Sequence, residues 1–172
     1  RRVMNVLPKR FGKYGLTLHP EKTRLVSFRK PLPPKGGRLR RADRPGTFDL
    51  LGFTHYWGKS RQGYWVILRK TMRSRLSRAV KAIAEWCRKN QHKPVVEQQH
   101  SLARKLQGHD AYYGITGNGR ALWRLRHEVK SVWRKWLNRR NSRRQMTWER
   151  FELVLQRYPL PGARVVHSIY RP

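Results

Sequence analysis

Acidic residues and cysteine are scarce in this sequence. Nine Asp and Glu stand against 41 Lys and Arg, and Cys87 is the single cysteine. One cysteine excludes an internal disulfide and any zinc site built on several thiolates. The carboxylates are scattered, and no two have the spacing of an acid–base pair or of a shared metal site. We therefore expect no metal site and no complete catalytic site in this chain.

Long apolar runs are missing as well. The sequence has no stretch of 18 apolar residues and no secretory signal pattern, so we expect no transmembrane helix and an intracellular location. The apolar stripes of its predicted helices are narrow, which argues against a protein that lies on a membrane surface. Because the chain begins at Arg1, in what reads as the middle of a helix, we expect a piece of a longer protein.

Positive charge is what the sequence has in excess. The formal net charge is +32, and a chain this basic relieves its self-repulsion best on a polyanion. Nucleic-acid backbones suit it because each neutralised phosphate also releases condensed counterions. The hydrophobic content of 38%, with seven Trp, seven Tyr and five Phe, is too high for a disordered basic tail. We expect a folded nucleic-acid binder whose partner is RNA.

The sequence predicts an α+β chain of two modules, residues 1–70 and residues 71–172. A helix that ends at Gly15 opens the first module, and residues 29–46, rich in Pro, Gly and basic side chains, predict a loop. Residues 48–57 and 64–70 predict a β-hairpin with a basic tip. Strict alternation along its first strand puts four side chains on one face: Leu51, Phe53, His55 and Trp57.

In the second module the periodicity becomes helical, and short connections predict an antiparallel bundle. Cys87 falls on the apolar arc of the first of these helices and is expected to be a core thiol. A second helix is expected to end at Gly108, and Asn118 is expected to cap a third.

The apolar stripe of the third helix is Leu122, Leu125, Val129, Trp133 and Trp136. Its opposite stripe is basic and is our candidate RNA-binding strip: Arg120, Arg124, Lys130, Arg134 and Lys135. Arg126 falls near the apolar side and must snorkel or find a partner.

Two adjacent tyrosines add a second candidate contact with RNA. Tyr112 and Tyr113 lie in a glycine-rich stretch, residues 108–119, that is expected to join two helices. Exposed tyrosines in such a loop can stack on unpaired bases, and they can equally seal the helical bundle. Because neighbouring residues at a helix end point about 100° apart, one tyrosine can serve each purpose.

Three motifs in this order resemble the C-terminal part of bacterial group II intron reverse transcriptase–maturases. Residues 14–23, Tyr-Gly-Leu-Thr-Leu-His-Pro-Glu-Lys-Thr, resemble the sixth conserved block of the polymerase. Residues 48–53, Phe-Asp-Leu-Leu-Gly-Phe, resemble the seventh block, a hairpin at the junction of palm and thumb. Residues 106–114, Leu-Gln-Gly-His-Asp-Ala-Tyr-Tyr-Gly, and the Trp-rich helix after them resemble the maturase, or X, domain.

The resemblance implies the end of the palm, then a thumb and X domain that grips structured intron RNA and the template–primer duplex, with target DNA as a further candidate partner. It implies roles in intron splicing and target-primed reverse transcription in a bacterial cytoplasm. Lys22 matches the sixth-block lysine, an accessory acid in the intact enzyme, although a lone lysine in a turn is more often a phosphate contact or a surface residue. Leu51, Gly52 and Phe53 match the hairpin that holds the primer end.

The sequence also departs from the family pattern. The Tyr-Ala-Asp-Asp motif that binds Mg²⁺ in these RNA-directed DNA polymerases is missing, together with the fingers and most of the palm. We therefore expect this fragment to need no cofactor and to have no polymerase activity alone. A free-standing RNA chaperone or splicing factor remains an alternative, and a DNA-binding helix-turn-helix is a weaker one because no helix is marked as a base reader.

Overall fold

The computed structural model describes residues 2–21, 23–31, 46–140 and 145–168. Within those ranges the chain is an α+β structure with a three-stranded antiparallel sheet and five helices. It divides into two compact units, a first of Arg1–Phe48 with Tyr56–Ile67 and a second of Asp49–His55 with Leu68–Pro172. The hairpin residues 53–55 and 68–70 thus belong to the second unit, which also contains most of the helices. Lys22 and residues 32–45, most of the expected basic loop, lie outside the described residues.

The first unit begins with helix α1, Arg2–Gly12. The helix proper ends three residues before the predicted stop at Gly15, but that glycine does close it. With a φ of 67° Gly15 is left-handed, and the amide of Leu16 donates back to the carbonyl of Phe11 at 3.0 Å. The extended segments that follow do not join the sheet. One of them instead supplies Phe28, whose ring stacks on Trp57 with centroids 5.5 Å apart.

The predicted hairpin is confirmed, with one correction. Strands β2, Phe53–Lys59, and β3, Trp65–Thr71, pair across the expected basic tip, and a short β1, Phe48–Leu50, adds a third strand in the order β1-β2-β3. A turn separates β1 from β2 because Leu51 and Gly52 have φ values of 49° and 80°. Two positive φ values are typical of tight type I′ hairpins. The prediction that Leu51 continues the strand face of Phe53 is therefore wrong.

Helices α2, Arg73–Lys89, and α4, Gly119–Arg140, follow the predicted periodicity and pack on each other. The buried stripe of α4 is the predicted one, except that Leu137 is buried and Trp136 is only half-buried. Cys87 is fully buried on α2, and desolvation raises the pKa of its thiol to about 12. Although α4 has 22 residues, neither it nor any other helix in the described ranges has an apolar stretch long enough to cross a membrane.

Helix α3 differs from its prediction. It runs over Val95–Tyr113, so Gly108 lies inside the helix and does not end it. A glycine costs about 1 kcal/mol in a helix interior, and here the buried side chains on either side, Leu106 and Asp110, keep the helix going. Consequently Tyr112 and Tyr113 form the last helical turn, and the connection to α4 shrinks to residues 114–118.

Helix α5, Trp148–Arg157, is capped by Thr147, whose side chain accepts a hydrogen bond from the amide of Arg150. It closes the core of the second unit through Phe151, which meets the fully buried Trp133 edge to face at 5.6 Å. The indole N–H of Trp133 donates to the side-chain oxygen of Gln98 on α3 at 2.9 Å. One side chain of α4 thus joins three helices.

Replacing Trp133 by Ala is expected to lower the free energy of unfolding by about 3–5 kcal/mol, because it opens a cavity at this junction. Chemical denaturation followed by circular dichroism measures the loss. The matched control is Trp123→Ala on the same helix, whose indole is largely exposed and whose loss should cost less than about 0.5 kcal/mol. Equal costs for the two variants would contradict this account of the core.

Candidate nucleic-acid interface

A buried ion pair fixes the end of α3 against α4. Asp110 and Arg126 bond to each other, and both side chains are almost inaccessible to solvent. Asp110 is the one buried acid among the described residues. Arg126 lies near the apolar side of its helix, so the expectation that it must find a partner is met. Leaving either charge buried alone would cost roughly 3–5 kcal/mol, so the pair holds the two helices in register.

The C-terminal segment lies against the same place. The carboxylate oxygen of Asp110 that bonds Arg126, Oδ2, also accepts the backbone N–H of Arg164 at 3.1 Å. The carbonyl of Gly114 accepts the backbone amides of Val166 and His167 at 2.7 and 2.8 Å. A Cβ at Gly114 would stand 2.7 Å from the carbonyl oxygen of Arg164, so only glycine fits at this turn. Residues 164–167 therefore brace the connection between α3 and α4.

Asn118 holds the other side of this connection. It precedes α4 as predicted, and its side-chain amide is engaged elsewhere than at the helix start. The amide oxygen accepts the backbone N–H of Thr71 at 2.9 Å, and the amide nitrogen donates to the carbonyl of Tyr113 at 2.7 Å. The residue thus links the end of β3 to the last turn of α3.

The Leu51–Gly52 turn and the tyrosine pair, two separate motifs in the sequence, are in contact within the second unit. The hydroxyl of Tyr112 donates to the carbonyl of Leu51 at 2.8 Å, and its ring stacks on Phe53 at 5.7 Å. Tyr113 lies against Gly52 and is the more buried of the two, whereas Tyr112 keeps 52% of its surface exposed. Neither tyrosine is in a loop, but the expectation of one sealing and one exposed side chain is met.

An open cleft of about 580 Å³ lies beside this contact. Asp49 and Leu50 line it together with the turn, and so do Met72, Arg75 and the tyrosine pair. Leu51 is 74% exposed at the rim and has the left-handed backbone that a non-glycine residue adopts at a cost of roughly 1–2 kcal/mol. Burial raises the pKa of the Tyr113 phenol, and the guanidinium of Arg75 opposes that rise. The cleft therefore offers an exposed cation, an exposed carboxylate at Asp49, a phenol and an apolar rim.

The predicted basic strip of α4 is only partly free. Arg120, Arg124 and Lys135 are exposed, and Lys130 is half-buried. Arg134 is not an outward charge: its guanidinium donates to the carbonyl of Met146 at 2.8 Å and covers the Trp148 ring at 4.4 Å. Helix α5 therefore uses Arg134 as a structural side chain, and the strip is open mainly in the N-terminal half of α4.

The apolar and basic stripes predicted for this helix leave out one aromatic side chain in its open half, Trp123. Trp123 is 66% exposed, the most exposed of the seven tryptophans, and its ring lies parallel to that of His127. The signal was present in the sequence, because Trp123 falls on the same polar side of the helical wheel as Arg120 and Arg134.

Among the described residues no three His, Cys, Asp or Glu side chains stand close enough to hold a metal ion. Comparison with protein-family models, curated proteins and solved structures finds no match for this chain.

Gly52→Ala is expected to destabilise the protein more than Gly63→Ala. Both glycines have positive φ, 80° and 84°, so both variants incur a backbone cost of about 1 kcal/mol. A Cβ at Gly52 would also meet the Tyr113 hydroxyl at 2.9 Å, whereas nothing lies within 4 Å of one at Gly63. Adding Tyr113→Phe to Gly52→Ala should recover part of the extra loss, as measured by urea denaturation. Equal losses at the two glycines would contradict the contact.

His109 is expected to make stability depend on pH. Desolvation, with the nearby Arg126 charge, lowers its pKa below the ordinary value of 6.5, although Asp110 opposes the shift. Neither ring nitrogen has a hydrogen-bond partner among the described residues. Between the lowered pKa of the folded protein and the ordinary value of 6.5, His109 is protonated in the unfolded chain but not in the folded one. The free energy of unfolding should therefore fall as the pH drops below 6.5. Denaturation at several pH values should show a smaller fall for His109→Phe, and an identical fall would contradict the assignment.

Proposed function

We propose that this chain binds RNA, and that it does so as the thumb and X-domain part of a group II intron reverse transcriptase–maturase. The observation that carries the RNA-binding proposal is the open half of the α4 strip, where Arg120 and Arg124 are exposed in a chain of net charge +32. Exposed arginines on a rigid helix bind phosphates with forked hydrogen bonds and little loss of conformational freedom. RNA backbones present those phosphates in a regular row.

The polymerase-derived part of the proposal is supported by the contact between two motifs that resemble the family. The turn that matches the primer-gripping hairpin, Leu51–Gly52, is held by the tyrosine pair that matches the X domain. Arg75 beside them supplies a charge for the backbone of a primer or template. In the intact enzyme this cleft would hold a nucleic-acid strand near the polymerase centre. An Asp-Asp pair encoded a few dozen residues upstream of Arg1 is the observation that tests this origin.

One feature favours a part of a longer protein over a free-standing RNA chaperone. Helix α1 buries no residue, and Val3, Val6, Leu16 and Leu25 are exposed in the first unit. Exposed apolar side chains in such number normally meet another surface. In the proposed enzyme that surface is the rest of the palm.

The double reversal Arg120→Glu with Arg124→Glu is expected to weaken binding to structured RNA by about tenfold or more, with little change in stability. Because each lost phosphate contact removes about one counterion, the slope of log K against log salt should become shallower by about 2. Fluorescence anisotropy with a labelled RNA at several salt concentrations measures both quantities.

A matched reversal on α2 controls for total charge. Lys81→Glu with Arg88→Glu changes the net charge equally on exposed side chains of another helix. We expect it to weaken binding less than the α4 reversal does. Equal weakening by the two pairs would show attraction by overall charge alone, and a parent slope shallower than about −2 would contradict phosphate-driven binding itself.

A further inference from the structure

The outer side of α4 carries an aromatic pair that electrostatic binding does not need. Trp123 and His127 are one helical turn apart, their ring planes differ by 13°, and their centroids are 5.8 Å apart. The two side chains are exposed, and the structure leaves 66% of the indole surface open to solvent. An indole oriented by a parallel neighbour is a flat apolar surface of fixed direction. It can accept another ring without a further loss of side-chain freedom.

The other tryptophans of α4 show that this exposure is particular to one place. Trp133 is fully buried with its N–H satisfied, and Trp136 is half-buried with the guanidinium of Arg139 over its ring at 5.0 Å. Trp123 has neither a core to fill nor a share in the packing of α5. Packing therefore does not explain why a large apolar side chain is exposed on the basic side of α4.

The charges around the indole indicate what it binds. Arg120 precedes it by nearly one helical turn, and Arg124 follows it in the sequence, about 100° further round the helix. Both arginines are exposed, and Lys130 lies further along the same side. Glu128 is the acid of this region, and its carboxylate is 3.9 Å from Arg124, with both side chains well exposed. So exposed an ion pair contributes little, and a phosphate can replace the carboxylate. An exposed indole with arginines near it can stack on a base while the arginines bind the phosphates of the same strand.

We propose that Trp123, oriented by His127, stacks on an unpaired base of RNA while Arg120 and Arg124 neutralise the phosphates beside that base. The inference depends on the proposed RNA binding and adds its substrate class: single-stranded or looped segments. A base within an uninterrupted duplex has both faces covered by its neighbours and cannot stack on the indole. This face therefore distinguishes unpaired from paired RNA with no contact to base edges, so it tolerates any sequence.

The test compares two RNAs of equal length and end label, one a single strand and the other a blunt duplex. Trp123→Ala should weaken single-strand binding by about 5- to 100-fold, the range for loss of one aromatic–base stack, and should change duplex binding less than about twofold. Trp123→Phe keeps an aromatic ring and should retain most of the affinity. Leu153→Ala, which removes another exposed apolar side chain, is the matched control and should affect neither RNA.

An abasic site scanned along the single strand completes the cycle. At the stacked position the missing base should weaken the parent about as much as Trp123→Ala does, and it should have no further effect on the variant. Equal losses on the two RNAs, or a loss below about twofold on the single strand, would overturn the stacking proposal and leave RNA binding intact. Failure of the parent to bind either RNA would instead remove the proposed function, and this inference with it.

Discussion

The ion pair between Asp110 and Arg126 is the interaction on which the rest of the second unit depends. The chain has 41 basic residues and nine acids, so carboxylates are scarce. Among the described residues one of them is buried. That carboxylate takes a guanidinium from α4 and a backbone N–H from the C-terminal segment, while α3 carries it. Three parts of the chain therefore meet at one acid, and removing it would leave Arg126 as a buried cation without its carboxylate.

The candidate nucleic-acid cleft follows from that pair. Asp110 lies one turn or less before Tyr112 and Tyr113, so the ion pair that fixes the end of α3 also fixes both rings. The rings in turn hold the Leu51–Gly52 turn, through a hydrogen bond to one residue and close contact with the other. A strained exposed leucine can persist there because the surroundings determine its backbone completely. Asp110 thus fixes the cleft indirectly, first through the two tyrosine rings and then through their contacts with the Leu51–Gly52 turn.

Periodicity predicted those parts of the fold that burial alone decides. It gave the stripe of α4, the core position of Cys87 and the need of Arg126 for a partner, since each follows from which side of a helix a residue lies on. It failed where tertiary contacts overrule local preference. Gly108 did not stop α3, and alternation across Leu51 and Gly52 concealed a turn that requires positive φ. The contact between the turn and the tyrosines spans about sixty residues, beyond what any local pattern reports.

The same limit explains why one member of the predicted basic strip, Arg134, does not point outward. A helical wheel shows on which side a residue lies, but not how far along the helix a neighbour covers that side. In this protein, where acids are few, cations cover aromatic rings instead: Arg134 lies over Trp148, Lys105 over Trp86 and Lys59 over Trp65. Arg134 therefore belongs to the packing of α5 and not to an RNA surface. Arg120, Trp123 and Arg124, in the N-terminal half of α4, stay exposed, so both arginines and the indole remain available to a partner.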